Sequence, residues 1–462
     1  MKQTLLSDQN SERALLFFAG WGMDEKPFAS LVVAGYDLWL VWDYRDMTLG
    51  CGDFARYREI VVVAWSFGVP AAARFIEGNP SLNITLKLAV NGTLYPVDDR
   101  MGIPQTIFDG TRANLDGRSL MKFYRRMFDS AESFARFKAA LPVRDIDGLI
   151  EELDAVERDA NTHSAYSVKW DYAVIADGDC IIPATAQREA WKESACGILE
   201  IDGGHCPDFK RLLSRFVADK GLIGERFGNS SGTYDDNADV QSQVVAHVMG
   251  IVQSRFNRHL PLSVLEVGAG TGMLTRGIVS LFPDAEYKFV DLNDNNLHAP
   301  ADAVRVTDDA ECFMASCSNG CYDLIVSSSA MQWFNSPATF IRACFRVLRP
   351  GGTVVLSTFG DKNFKELDRF FIERKFFPGV DVLRKMIPPE ATDSSAEDDC
   401  LTMRFESSAE LLRHIKMTGV NAMSPSTPGA AMTARRIMAD YPVDTDGKVS
   451  LTFNPVYIIY GK

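Results

Sequence analysis

The sequence predicts two α/β domains in series, and three observations predict them. An apolar strand run, Val264 to Val267, enters Gly268-x-Gly270-x-Gly272 and then a stretch with helical spacing, Met273 to Phe282. A β-branched run near residue 60 enters Ala64-Trp65-Ser66-Phe67-Gly68 and an alanine-rich helical stretch. Between them, Gly224 to Asp236 is enriched in Gly, Ser and Asn and carries no periodicity, which marks a boundary. Two domains also suit a length of 462 residues. We place them at 1–222 and 223–462.

In the first domain, Arg13 to Gly22 reads as a strand ending in a Gly20-Trp21-Gly22 loop, and Asp37 to Asp46 as another strand. Glu59 to Ile76 reads as strand, turn and helix. Small residues two before and two after a serine permit the strained turn of a nucleophile elbow, and the usual first glycine is Ala64 here. Leu86 to Gly92 is a further strand. A polar helical segment covers about 111–164. Trp170 to Pro183 and Ala195 to Pro207 are each a strand with a loop, and Arg211 to Lys220 closes the domain as a helix. Strands alternating with helices, with one helical insertion late in the sheet, predict an α/β-hydrolase with a lid.

Ser66 needs a base, and the base an acid, in chain order Ser, Asp, His. The first domain has two histidines, His163 in the polar end of the lid segment and His205 in Gly203-Gly204-His205-Cys206-Pro207. His205 follows a strand directly, where a catalytic histidine loop belongs. Asp177 and Asp179 compete as the acid. The four-residue spacing from Asp179 to Pro183 favours Asp179. Backbone N–H groups of Trp21 and Phe67 would form the oxyanion hole.

In the second domain, Gly-x-Gly-x-Gly between strand and helix is a nucleotide-cofactor pattern. A second strand ends on Asp291, about 20 residues past the glycines, where a carboxylate can accept ribose hydroxyls. Asp309 is placed to meet an adenine amine. Tyr322 to Phe334 gives a fourth strand, and Phe345 to Phe359 a helix, a Pro-Gly-Gly turn and a fifth strand. Residues 361–398 read as a helical insertion with a loop at Pro388 to Asp399. Strand, helix and antiparallel edge strands from 401 onward complete the fold.

This series resembles the class I Rossmann-like S-adenosylmethionine-dependent methyltransferases rather than dinucleotide-dependent dehydrogenases. Glu266, just before the glycines, is typical of them and sits where it can orient the methionine end. The resemblance implies a cofactor set of Glu266, Gly268, Gly270, Gly272, Asp291, Leu292, Asp309 and Ala310, with S-adenosylmethionine as cofactor.

Composition excludes several classes. No apolar run reaches the ~18 residues of a membrane span. The N-terminus has no signal-peptide core. The nine cysteines are scattered, and Cys312, Cys317 and Cys321 fit no zinc pattern. No metal and a cytoplasmic location are therefore expected. The net charge is −13 and each half is acidic, which weighs against a nucleic-acid partner. One stretch differs: Arg112 to Lys138 carries seven basic residues against three acids. It is either a solvated amphipathic face or a docking surface for an acidic partner.

The motifs now allow a sharper resemblance. Ala19-Gly-Trp-Gly22, Trp65-Ser-Phe-Gly68 and Gly203-Gly-His-Cys-Pro207 resemble the BioG-type pimeloyl-acyl-carrier-protein methyl ester esterases of biotin synthesis. The second half resembles the BioC-type malonyl-acyl-carrier-protein O-methyltransferases. It carries Phe227-Gly228, Tyr234-x-x-x-Ala238-x-x-Gln241, Gln332-Trp333 and the Arg413-His-Ile-Lys416 run.

The resemblance implies a bifunctional enzyme. One domain methylates the free carboxylate of malonyl-carrier protein, and the other hydrolyses the methyl ester of pimeloyl-carrier protein. Tyr234, Gln332 and Trp333 are candidates to line the methyl-acceptor pocket. Arg413 either holds a carboxylate or lies on the surface. The acidic carrier protein suits a lid surface made by Arg112, Lys122, Arg125, Arg126 and Arg136. The other readings are a generic esterase fused to a small-molecule or RNA methyltransferase, and a scaffold that only binds acylated carrier. Ser66, Asp179 and His205 argue against the scaffold, and the acidic charge argues against RNA.

Overall fold

A computed structural model describes residues 1–162, 166–256, 260–370, 375–417 and 430–462. The chain divides into two compact units, Met1–Leu212 and Leu213–Lys462. Among the described residues no helix is long and apolar enough to cross a membrane.

Among the described residues the first unit is built on a seven-stranded sheet. Its strands are β1 (Lys2–Ser7), β2 (Arg13–Phe18), β3 (Asp37–Trp42), β4 (Glu59–Trp65), β5 (Ile84–Val90), β6 (Trp170–Ala176) and β7 (Ala195–Ile201). Their order is β1-β3-β2-β4-β5-β6-β7. Every pairing is parallel except that of β1, which runs antiparallel to β3 along one edge. Parallel strands must be covered on both faces. Accordingly every residue of β4 and of β6 is buried. The edge strand β1 alternates too weakly to be read from sequence, because most of its side chains are only half-covered.

Among the described residues, four helices lie between β5 and β6: Gln105–Ala113, Gly117–Arg126, Ala131–Lys138 and Ile146–Thr162. The helical insertion thus begins ahead of the expected residue 111. Asp116 and Ser119 form a reciprocal capping box that fixes the start of the second helix. The fourth is tied to the sheet by Glu152, which accepts the Tyr44 N–H at 3.0 Å and pairs with Arg144 at 2.8 Å. His163 lies outside the described residues.

The second unit has β8 (Ser263–Val267), β9 (Glu286–Asp291), β10 (Val304–Thr307), β11 (Tyr322–Ser327), β12 (Leu348–Phe359), β13 (Thr392–Asp398), β14 (Leu401–Phe405), β15 (Val449–Phe453) and β16 (Pro455–Gly461). The main sheet runs β10-β9-β8-β11-β12-β16-β13. Its first five strands are parallel, and β16 is antiparallel to both its neighbours. The chain leaves β8 toward β9 on one side and later returns to β11 on the other. That reversal opens a crevice at the strands' C-terminal ends, where α/β sheets bind ligands.

Three sequence expectations are corrected. Gly224 to Asp236 is not an aperiodic linker: a helix spans Lys220–Tyr234 and leads into a short turn at Asp235–Asn237. Its polar composition misled because this helix has no single apolar stripe. The Pro388 to Asp399 stretch is not a loop, since Thr392–Asp398 is the edge strand β13, polar because most of it faces water. The C-terminal segment is not all edge: β15 pairs with β14 in a small separate sheet, and β16 is interior.

Candidate active sites

In the first unit β4 delivers Ser66 at its C-terminal end. Ser66 has a φ of 57°, a strained conformation for a residue with a side chain. Gly68, which follows, approaches the backbone of β2 so closely that a Cβ would sit 2.3 Å from the Phe18 carbonyl oxygen. The last small residue of the elbow is therefore sterically required.

His205 Nε2 lies 2.9 Å from Ser66 Oγ, and His205 Nδ1 lies 2.8 Å from Asp179 Oδ2. The two side chains come from loops after β7 and β6. All three residues are buried. Asp179 Oδ1 accepts the N–H groups of Ile181 and Ile182 at 2.8 and 3.0 Å. Asp177 is exposed, so the residue facing His205 is Asp179. Trp21 and Phe67 are buried, in the loop after β2 and at the start of helix Gly68–Gly78, and a Cβ on Gly20, beside Trp21, would sit 3.2 Å from Ser66 Cβ.

Sequence reasoning missed the groups that hold this array. Gln187 Nε2 donates to Asp179 Oδ2 at 2.8 Å. Asn91 Nδ2 and Trp65 Nε1 both donate to the His205 carbonyl, at 2.9 and 2.8 Å. Asn91 also accepts the Ala176 N–H at 2.8 Å, so one side chain ties the ends of β5 and β6 to the histidine loop. The signals were faint: an asparagine at the end of a strand and a glutamine eight residues past the acid.

The basic lid is only partly free. Arg112 pairs with Asp109, Asp154 and Glu157, which removes it from the expected docking set. Arg126 donates to the Cys180 carbonyl at 2.6 Å and Arg125 to that of Phe128 at 2.8 Å. Lys122, Arg125, Arg126 and Arg136 are exposed.

In the second unit a cleft of about 1090 Å³, open mouth included, lies at the β8/β11 switch point. Glu266, Gly268, Gly270, Asp291, Leu292, Asp309 and Ala310 all line it. Gly268, Gly270 and Gly272 have φ of 71°, 54° and 92°, so the loop needs glycine at each. Gly272 stands behind the lining, heading helix Met273–Leu281, and a Cβ there would meet Asn296 at 2.3 Å.

Asp291 Oδ2 accepts the Gly270 N–H at 2.9 Å, and burial raises its carboxyl above the usual range. Glu266 lies below the loop, where burial pushes it up to about 8, with Thr275 donating to it at 2.7 Å. Asp309 caps the helix Ala310–Ser316 and lies 3.3 Å from Lys220, which also pairs with Glu311 at 2.9 Å.

Tyr234 and Trp333 line the cleft and also a smaller adjoining cavity, which Gln332 joins. Arg413 is exposed on helix Ser408–Met417 and lines neither, which corrects its placement in the acceptor pocket. Its helix packs against β14, β15 and the helix Lys220–Tyr234, with Arg413 on the exposed side.

Comparison with known proteins gives two family matches. "Pimeloyl-ACP methyl esterase BioG" matches residues 1–218, and "Methyltransferase domain" matches residues 239–416. A malonyl-[acyl-carrier protein] O-methyltransferase from Bacteroides fragilis is 33% identical over 98% of this chain and 93% of its own. The chain belongs to the malonyl-[acyl-carrier protein] O-methyltransferase family.

Within that family it carries a BioG-type domain ahead of its methyltransferase domain. A second relative, from Bacteroides thetaiotaomicron, has the same name and is 29% identical, matching 98% of its length to about half of this chain. A solved structure of BioG from Haemophilus influenzae is 34% identical over 44% of this chain and 94% of its own, with a TM-score of 0.41.

Membership of this methyltransferase family makes S-adenosylmethionine the cofactor. The cleft fits it: an open glycine turn where a Cβ at Gly270 would meet nothing, a carboxylate at the end of β9 and another at the end of β10.

Proposed function

We propose that this chain both methylates the carboxylate of malonyl-carrier protein and hydrolyses the methyl ester of pimeloyl-carrier protein. The observation that carries the reading is the hydrogen-bonded Ser66–His205–Asp179 series in a chain that also holds a methyltransferase cleft.

For the esterase, His205 Nε2 would accept the Ser66 hydroxyl proton as Oγ attacks the ester carbonyl, then return it to the methanol leaving group. Asp179 would hold the Nδ1–H tautomer and stabilise the imidazolium. Two backbone N–H bonds and Gln187 keep that carboxylate in place. The N–H groups of Trp21 and Phe67 would take the developing oxyanion, an arrangement whose removal by mutation costs about 10²–10³ in rate per donor. Water then releases the acid by the same path.

For the methyltransferase, S-adenosylmethionine supplies a methyl group on a sulfonium when bound. Asp291 would hold the ribose hydroxyls, Asp309 and the Ala310 N–H the adenine, and Glu266 the methionine end through the glycine loop. The malonyl carboxylate is ionised at neutral pH and needs no base. Tyr234, Gln332 and Trp333 would position it, and positioning supplies most of the rate.

The two chemistries fit together as masking and unmasking of a charge. A carboxylate is costly to bury in an apolar tunnel and an ester is neutral, so methylation would let a short diacid enter chain elongation. Hydrolysis at seven carbons would restore the charge. The carrier would dock on Lys122, Arg125, Arg126 and Arg136 near the esterase site. The experiment is to give the protein malonyl-carrier and methyl-pimeloyl-carrier separately, with S-adenosylmethionine, and to follow each carrier by mass.

A further inference from the structure

The cofactor cleft and the smaller cavity behind it share a wall. Phe227, Tyr234, Gln241, Ser329 and Trp333 line both. Two of these five carry a buried polar atom with no hydrogen-bond partner among the described residues, Gln241 Oε1 and Ser329 Oγ. Gln332, on the small cavity alone, adds a third in its Oε1.

Buried polar atoms are almost always paired, because an unpaired one forfeits its hydration for nothing. Gln241 is only 5% exposed. It stands in the first turn of helix Asp239–Arg255, whose other buried residues are valines. An apolar residue would pack there without loss. Ser329 is held at a φ of 54°, a strain that functional sites tolerate and ordinary loops avoid. Orphaned groups and strain thus coincide on the wall between cofactor and acceptor.

The small cavity has a second property. Among the described residues that line it there is no lysine or arginine. Lys220 lines the larger cleft, but Asp309 and Glu311 already engage it. Arg413 is exposed elsewhere. A neutral donor set suits an acceptor whose charge disappears as the ester forms. A guanidinium would stabilise the charged ground state more than the transition state and so slow the transfer.

We propose that Gln241 and Ser329, with the Tyr234 hydroxyl, bind the acceptor carboxylate through neutral hydrogen bonds and so determine which acids are methylated. The inference rests on the methyltransferase reading above and names the residues that recognise its substrate. The Gln241 amide presents its N–H₂ to one carboxylate oxygen; its partners decide which end faces the cavity, and among the described residues its carbonyl has none. The Ser329 and Tyr234 hydroxyls donate to the carboxylate as well. Burial raises the Tyr234 hydroxyl far above the usual phenol range, which keeps it a donor.

The test uses the full-length protein with Gln241→Leu and Ser329→Gly. Leucine is of similar size and removes the orphaned carbonyl, and glycine relieves the positive φ. Thermal midpoints are therefore expected to stay level or rise, a result a structural role would not give. Cofactor affinity by calorimetry stays as in the wild type. The KM for malonyl-carrier rises at least ~10-fold in each variant, the loss of one hydrogen bond to a charged group. Gln241→Met serves in place of leucine if that variant does not fold.

Unchanged KM and kcat in both variants overturn the inference while leaving the substrate reading intact. Weakened cofactor binding overturns it too, by assigning Gln241 to the cofactor. A wild-type protein that binds S-adenosylmethionine but leaves malonyl-carrier unmodified brings down the substrate reading, and the inference with it.

Discussion

Asp291 Oδ2 accepts the Gly270 backbone N–H at 2.9 Å, so the carboxylate that ends β9 also fixes the glycine loop that follows β8. One side chain thus has two tasks, shaping the loop and offering an acceptor to the ribose. Asp291→Ala should weaken S-adenosylmethionine binding by about 10-fold or more, since charge-assisted hydrogen bonds contribute about 1.5–3 kcal/mol each. Ester hydrolysis by the first domain should be unaffected. Calorimetry and an esterase assay on the same preparation check both halves, and undiminished affinity would mean the cofactor is held elsewhere.

The triad acid can be tested against its neighbour. Asp179→Asn leaves the geometry but favours the wrong imidazole tautomer, and a loss of about 10⁴ in kcat is expected. Asp177→Asn, at an exposed carboxylate, should hydrolyse esters at the wild-type rate. The pair of kcat values separates the two residues directly.

Glu266 makes folding pH-dependent. Burial pushes its folded value up to about 8, from an ordinary value of 4.5. The folded state therefore keeps a proton that the unfolded chain gives up. Stability contributed by the protonated form is complete below about pH 4.5 and is lost as pH rises toward 8. Glu266→Gln lacks this loss. Its unfolding free energy should gain on the wild type progressively across that window, by an amount on the order of a few kcal/mol. Parallel pH profiles for the two proteins would contradict it.

The lid makes a prediction that depends on salt. Lys122→Glu combined with Arg136→Glu should lower kcat/KM for carrier-bound ester while leaving a small soluble ester unchanged. Raising ionic strength should shrink the difference, because the Debye length falls from ~10 Å at 0.1 M to ~3 Å at 1 M salt. These two residues are chosen because Arg126 also holds the Cys180 carbonyl beside Asp179. Equal loss on both substrates would make the patch structural.

Much of this was legible because the chemistry is local in sequence. Ser66 sits in an elbow whose strand, turn and helix are contiguous, and Gly268 to Gly272 are likewise framed by their own strand and helix. His205 could be found from the strand before it, and Asp179 from its strand and its spacing to Pro183, with Asp177 left in competition. The supporting groups could not. Asn91 and Trp65 meet the His205 carbonyl from more than a hundred residues away, and Gln187 reaches Asp179 only because a helix starts at Ala184.

Polarity misled in two places. Gly224 to Asp236 looked like a linker because its helix has no single apolar stripe, and β13 looked like a loop because it is an exposed edge. Arg413 matched a motif by sequence, but its helix turns it to solvent.

The most direct test follows the mass of the carrier protein with both substrates. Malonyl-carrier incubated with the protein and S-adenosylmethionine should gain one methyl group and keep it, while methyl-pimeloyl-carrier should lose one. Ser66→Ala should abolish the loss and leave the gain. A malonyl-carrier that never gains the methyl, or a pimeloyl ester that survives the wild-type protein, would contradict the account.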